Sequence, residues 1–260
     1  MNDHEEQPLI SCLCVTRRRP QHLARAIRCF QSQTYANKEL VIVHPAADEP
    51  TKDCIAGFHD ERIKSHPVDA QGISLGELRN LSLERASGSL ACIWDDDDWY
   101  SPERLGKQFA MMRSSNKQAI ILARLIVFDS AAGKAYLGTD RLWENSILFD
   151  RDAVRALGIR YPALDRNEDY EFVNLLIRHN LAYPLHDATL YVYNISGINT
   201  CDPGHFDIIK RRGTALSDHH SAVISQCFAP DASPLAVHDQ MQRGELIPPL
   251  PYVVHRALRR

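Results

Sequence analysis

Leu90-Ala-Cys-Ile-Trp94 runs straight into Asp95-Asp96-Asp97-Asp98-Trp99-Tyr100-Ser101-Pro102. The first five residues are wholly apolar, the pattern of a strand covered on both faces. In an open α/β sheet, ligands bind at the carboxyl ends of the strands, so four consecutive carboxylates there mark a candidate site. Like charges this close repel one another and raise pKa values unless a cation neutralises them. Hard divalent ions such as Mg2+ take a few carboxylates together with phosphate oxygens, which points to a metal–diphosphate site. The bland reading is a solvated acidic turn. Ile93-Trp94 and Trp99-Tyr100 on either side argue against it.

Working outward, residues 9–15 and 39–43 are further apolar strands. Pro20 suits a first helical turn, and Leu23, Ile27 and Phe30 follow at helical spacing. A short helix over 51–58, a brief strand over 63–67 and a helix over 75–85, stopped by Ser87-Gly88, lead back to the quoted strand. Pro102 opens a helix to about 114, and residues 119–128 read as one strand. Strands alternating with helices over the first 130 residues imply crossover units and a mostly parallel sheet, hence an α/β fold. Further on, 146–149 reads as a strand and 150–157 as a helix stopped by Gly158. After a loop over 161–167, a helix spans 168–180, and 190–194 is a strand. The pattern predicts one domain over 1–230, regular over about 8–130 and less so over about 131–230. Residues 231–260 read as a polar, proline-rich tail with a basic end.

Composition narrows the classes. With 260 residues, 44% of them hydrophobic, the chain is an ordinary globular protein rather than a disordered or collagen-like one. A formal charge of −3 gives no footprint for a general nucleic-acid binder. No apolar run approaches the roughly 18 residues a spanning helix needs. The opening Met1-Asn2-Asp3-His4-Glu5-Glu6 lacks the apolar core of a secretory signal. Seven scattered cysteines, an odd number, suit a reducing compartment in which thiols pack as small hydrophobes. The expected location is cytoplasmic.

Four blocks in order resemble glycosyltransferase family 2 with the GT-A fold, over residues 8–200. The first is Pro8-Leu-Ile-Ser-Cys-Leu-Cys-Val-Thr-Arg-Arg-Arg-Pro20, leading to Ser32-Gln33-Thr34-Tyr35 and Glu39-Leu-Val-Ile-Val43. The second is Gly76-Glu-Leu-Arg-Asn80 with Ala86-Ser87-Gly88 after it. The third, residues 93–102, resembles the DxD block, and the fourth is Asn167-Glu168-Asp169-Tyr170. The resemblance implies a Rossmann-like, mostly parallel central sheet with flanking helices. It also implies a metal-dependent, inverting transferase of the hexosyl type, acting in polysaccharide biosynthesis. The donor would be a nucleotide-diphosphate sugar, and the acceptor a hydroxyl of a saccharide or lipid-linked saccharide. The basic C-terminus adds an expectation of peripheral attachment at the cytoplasmic membrane face.

The same resemblance implies roles. Asp97 and Asp95 match the DxD carboxylates that hold Mn2+ or Mg2+, with Asp95 also reaching the ribose. Asp96 and Asp98 would assist, or accept hydrogen bonds from nearby backbone. Arg79 matches a diphosphate-binding arginine, and a guanidinium fork suits phosphate oxygens on chemical grounds alone. Thr16 and Arg17 fall where the chain lines the nucleobase. Asp169 is the expected general base, with Glu168 beside it on the acceptor side. Acids at a helix start also suit the positive helix end. Trp143 reads either as a face for the acceptor sugar or as a core tryptophan.

Two departures from the family pattern stand out. Where the family has Asp-Asp-Gly-Ser, with an aspartate that reads uracil, this chain has His44-Pro45-Ala46-Ala47. UDP is therefore not assumed; Asp48 or a backbone amide near Ala46 would have to restore uracil reading. The usual histidine after the last core strand is missing from residues 191–200. His205, in an expected loop, reads as a further metal ligand or an ordinary histidine, and His219-His220 as a solvated pair. Two other readings of the acidic loop are a metal-dependent phosphohydrolase with a nucleophilic aspartate and a non-catalytic sugar- or calcium-binding module.

Overall fold

In the computed structural model the residues described are 7–197, 199 and 203–243. The first half runs β1 (Ile10–Val15), α1 (Pro20–Gln31), β2 (Lys38–Pro45), α2 (Glu49–Ala56), β3 (Ile63–Val68), α3 (Leu75–Arg85) and β4 (Leu90–Ile93). It continues with β5 (Trp99–Tyr100), α4 (Arg104–Ser115), β6 (Ala119–Leu122), β7 (Ile126–Asp129) and β8 (Lys134–Leu137). Then follow β9 (Leu148–Asp150), α5 (Arg151–Ala156), α6 (Glu168–Arg178), β10 (Ala182–Leu185) and β11 (Tyr191–Ile195). Last come α7 (Pro203–Arg212), β12 (Thr214–Ala215), α8 (Asp218–Ser225) and α9 (Pro234–Arg243).

The larger sheet has the order β10-β6-β9-β4-β1-β2-β3 and is parallel except for the two pairings made by β9. Its inner strands β1, β2, β4 and β6 are almost wholly buried because both faces are covered, whereas the edge strand β3, Ile63-Lys-Ser-His-Pro-Val68, is half-exposed. Ile10, Cys12, Cys14, Leu40, Ile42 and Cys92 pack into one core with Leu23, Ile27 and Phe30 of α1. Their alternating neighbours Leu13, Val41, Ala91 and Ile93 pack into a second with Phe172, Val173 and Leu176 of α6. Period-two alternation thus feeds two cores at once. The smaller sheet, β12-β8-β7-β11-β5, lies beyond the acidic loop and pairs β5 with β11.

Local chemistry fixes the helix starts. Pro20 opens α1, and Asp48 caps α2 through the Thr51 amide. Ser74 and Glu77 close a capping box on α3. Gly88 sits against β1, where a Cβ would meet the Leu9 carbonyl oxygen at 2.4 Å.

Several expectations need correction. The single strand expected over 119–128 is two strands in different sheets, because the chain bends at Ala123–Leu125 and Ala123 bonds across to Leu185. Both halves are buried, so an unbroken apolar run concealed the change of sheet. Trp99-Tyr100, read as the rim of the acidic loop, is a strand. The helix expected from 51 starts at Glu49, since Asp48 caps it and Pro50 fits its first turn. The segment expected to be tail from 231 contains α9, whose Val237, His238 and Met241 are buried. The proline run, the basic end and the membrane role expected of it fall within 244–260, outside the described residues, as does Cys201. Cys12, Cys14, Cys29, Cys92 and Cys227 are buried thiols and Cys54 is half-buried. Among the described residues no helix is long and apolar enough to cross a membrane.

Candidate active site

Both ends of the acidic loop are anchored in the core. Before it, the Trp94 amide donates to the Leu13 carbonyl at 2.9 Å and its indole donates to the Ala26 carbonyl at 3.0 Å. After it, the Tyr100 ring lies 4.0 Å from that of Trp94, and its hydroxyl donates to the Asp95 carbonyl at 2.9 Å. Arg104 is fully buried against the rings of Trp94, Tyr100 and Tyr191, at 5.2, 4.6 and 5.1 Å from their centroids. These contacts give four like charges a rigid frame.

Each carboxylate then has its own surroundings. Asp95 meets Arg79 Nη1 at 3.2 Å. Asp96 accepts the Thr16 hydroxyl at 2.5 Å and Arg19 Nη1 at 3.3 Å. Asp97 accepts the same Arg19 nitrogen at 3.2 Å and the Asn199 amide at 3.4 Å. Asp98 points away, into the core, where it accepts the Tyr191 hydroxyl at 2.5 Å and the Asn194 amide at 2.8 Å. It is therefore a structural acceptor, the second of its two expected roles. Burial, with the charges of Asp96 and Asp95, pushes the Asp97 carboxyl up to about 7. Burial likewise raises Asp96 and, with the Asp97 and Asp95 charges, Asp98.

A second acidic group reaches the same pocket from α6. Arg79 Nε donates to Glu168 Oε1 at 2.9 Å while its Nη1 holds Asp95. Burial disfavours the guanidinium charge, but Asp95 and Glu168 outweigh it and hold the Arg79 pKa well above its ordinary value. Asp169, half-buried in the first turn of α6, lines the pocket. The loop before α6 is clamped onto α3. Leu164 and Asp165 accept the amides of Gly76 and Leu75 at 2.9 and 3.0 Å, and Asn80 exchanges two hydrogen bonds with the Tyr161 backbone. A Cβ on Gly76 would lie 1.8 Å from the Pro162 carbonyl oxygen, so only glycine permits this approach. That explains the glycine and asparagine flanking Arg79.

The cavity holding these groups measures about 760 Å³ and is also lined by Thr16, Arg17, His44, Pro45, Ala70 and Ile73. Arg17 is exposed, whereas Thr16 is buried with its hydroxyl given to Asp96. His44 is buried, with Nε2 2.9 Å from Ser65 Oγ. Asp48 accepts from the Arg18 and Thr51 amides and the Thr51 hydroxyl, and the Ala46 amide donates to Val68. Both groups named as substitutes for a uracil-reading carboxylate are thus already engaged.

Other expectations are altered by position. Trp143 is only 2% exposed, its ring is covered by Arg141 at 4.2 Å, and its indole donates to Thr139. It is packed into the core and also lines the cavity. His205 lies in α7, not in a loop, and lines the cavity. His219-His220 opens α8, with His219 exposed. Arg19 was not singled out from the sequence, because three adjacent arginines look alike until the fold aims one at the carboxylates.

The donor set suits a hard divalent cation. Asp95, Asp96 and Asp97 offer oxygen ligands, and burial penalises the charge of Asp96 and Asp97. Among the described residues no three His, Cys, Asp or Glu side chains converge into a ready cage.

The family model described as glycosyl transferase family 2 matches residues 11–163, more than half of the chain. UDP-Glc:alpha-D-GlcNAc-diphosphoundecaprenol beta-1,3-glucosyltransferase WfgD of Escherichia coli is 29% identical over 221 residues, 81% of this chain and 86% of that protein. The match to EpsH of Bacillus subtilis is 28% identical over 100 residues, 38% of this chain and 28% of that protein. Among solved structures, S. aureus TarS 1–349 with UDP-GlcNAc superposes with a TM-score of 0.60 at 15% identity, covering 91% of this chain and 74% of that one. Mannosyltransferase PcManGT from Pyrobaculum calidifontis, with GDP-Man and Mn2+, gives 0.59 at 14% identity, covering 93% and 76%. At these identities the structural likeness establishes a shared fold.

Proposed function

Since the chain belongs to glycosyl transferase family 2, we propose that it moves a sugar from a nucleotide-diphosphate sugar to a hydroxyl acceptor with inversion, using Mn2+ or Mg2+. Family membership makes it a glycosyltransferase and sets aside the phosphohydrolase and non-catalytic readings. The observation that carries the finer reading is the Arg79 bridge. One guanidinium joins the strand-end carboxylate Asp95 to Glu168, next to Asp169, across a single cavity.

In this reading residues from about 8 to 130 bind the donor and those from about 131 to 230 shape the acceptor side. Arg79 is positioned to take charge developing on the leaving diphosphate. Asp97, with Asp95, would hold the cation, which supplies further charge neutralisation when bound. Asp169 accepts the proton of the acceptor hydroxyl as that oxygen attacks the anomeric carbon opposite the diphosphate. Glu168 acts through Arg79, since its carboxylate is buried against that guanidinium. A saccharide or lipid-linked saccharide acceptor is supported by the substrate named for WfgD. Nucleotide-sugar and metal use are supported by what the TarS and PcManGT structures hold.

The test is calorimetric titration with UDP and GDP, with and without Mn2+, followed by NMR of the product's anomeric configuration. Mn2+-dependent binding of at least one nucleotide and an inverted product are expected. Failure of both nucleotides to bind with Mn2+ present would overturn the donor assignment.

A further inference from the structure

A cation of the protein itself already sits on Asp97, a carboxylate assigned to the metal, and on its neighbour Asp96. Arg19 Nη1 lies 3.3 Å from Asp96 Oδ1 and 3.2 Å from Asp97 Oδ2, so one nitrogen bridges two neighbouring acids. Asp95 and Asp98 are held by other groups, Arg79 for the first and Tyr191 with Asn194 for the second. The Arg19 side chain is 27% exposed, against 4% and 13% for its two partners. A partly solvated cation therefore rests on two buried anions.

The backbone aims it there. Arg18 adopts a left-handed conformation, with φ 53°, and its amide donates to Asp48 at 2.6 Å. Thr16, two residues earlier, gives its hydroxyl to Asp96. Pro20 starts α1 immediately afterwards. The segment is pinned on both sides of Arg18, so Arg19 enters the cavity rather than solvent.

We propose that Arg19 is a built-in counter-cation that competes with the divalent metal for Asp97, and passes to the donor's diphosphate when the metal takes that carboxylate. This rests on the metal-dependent reading given above. The physical argument is electrostatic. A guanidinium within hydrogen-bond distance favours the ionised form of both acids and helps to place them, yet occupies the oxygen a metal would need. Metal alone must displace it and binds weakly. Metal arriving with a diphosphate offers the guanidinium a new anion, so the two ligands help each other, and by linkage the help is reciprocal. Arg19 thereby links metal occupancy to the presence of donor.

Mn2+ titration of wild type, Arg19→Gln, Arg19→Ala and Arg19→Lys, each with and without UDP or GDP, tests this directly. Without nucleotide, the two neutral variants should bind Mn2+ about fivefold or more tightly than wild type, the scale of one partly exposed ion pair. The lysine variant, which keeps the charge, should stay close to wild type. Nucleotide should strengthen Mn2+ binding more in wild type than in either neutral variant. Using two neutral variants guards against one failing to fold, which thermal unfolding would reveal. Equal or weaker Mn2+ binding by the folded neutral variants overturns the role of Arg19 and leaves metal dependence standing. Absence of Mn2+ binding by wild type with either nucleotide overturns both.

Discussion

Arg79 and Glu168, 89 residues apart in sequence, meet at 2.9 Å through Nε and Oε1, with both side chains almost fully buried. The contact fastens α3 to α6, and the remaining reach of the guanidinium ends on Asp95. The donor-side loop and the acids at the start of α6 are therefore positioned by one side chain. A shift in either is transmitted to the other.

Arg79→Met should be both destabilised and unable to bind nucleotide. Removing one member of a buried ion pair typically costs about 3–5 kcal/mol, because the other charge is left without compensation. Glu168→Gln keeps an acceptor for Nε and should lose less. Urea unfolding of the two variants measures the difference; an arginine variant as stable as wild type would refute the argument.

The acidic loop should also make stability depend on pH in an unusual direction. An aspartate in an unfolded chain titrates near about 3.9, whereas burial and its neighbours push Asp97 up to about 7. Between those values the folded protein holds a proton that the unfolded chain has released. The contribution of this group is full at low pH and is lost as pH rises through about 7. Asp97→Asn should therefore lose less Tm than wild type between pH 5 and pH 8. The stabilisation given by Mn2+ should be larger at pH 8 than at pH 6, and should vanish in the variant. Differential scanning fluorimetry across that range reads all three.

How much of this was legible beforehand depended on whether the signal was local. The apolar runs that became β1, β2 and β4, and the junction of β4 with four aspartates, are local patterns, and the cavity lies at that junction. The helix starts at Pro20 and Glu168 are local as well. The division between β6 and β7 is not, since Ile120–Leu122 and Ile126–Phe128 are equally buried and equally apolar. Helix α9 went unread because its few core residues, Val237 and Met241, sit among polar ones near a proline-rich stretch. Arg19 differs from Arg17 and Arg18 only in where the chain points it. The roles of Gly76 and Asn80 depend on a loop more than 80 residues away.

Asp169→Asn should separate binding from chemistry. Asp169 lines the cavity from the first turn of α6, while the carboxylates proposed to face the donor come from the acidic loop. Donor affinity should stay near wild type and turnover should fall by roughly 10² or more, the usual worth of a general base. Steady-state kinetics with a separate donor titration check it. Lost donor affinity with turnover intact at saturation would move Asp169 to the donor side.

The nucleobase end of the cavity should discriminate poorly. A site built around a buried hydrogen bond rejects a base lacking the matching group by large factors, whereas stacking and apolar contact do not. Here the position of a uracil-reading carboxylate is taken by Pro45, which has no side-chain acceptor. His44 is turned into the sheet toward Ser65, the Asp48 carboxylate is occupied in capping α2, and the Ala46 amide is bonded to β3. The remaining wall, formed by Pro45, Ala70 and Ile73 with the exposed Arg17, offers apolar surface and a planar cation. UDP should then hold less than about a tenfold advantage, roughly 1.4 kcal/mol, over at least one of GDP, CDP and TDP. Titrating all four at saturating Mn2+ decides the matter. A preference for UDP of about a hundredfold or more over every other base would mean that a group outside this wall reads uracil. If discrimination is weak, Arg17→Ala should lower the affinity for all four nucleotides by a similar factor, since a stacking plane serves every base alike.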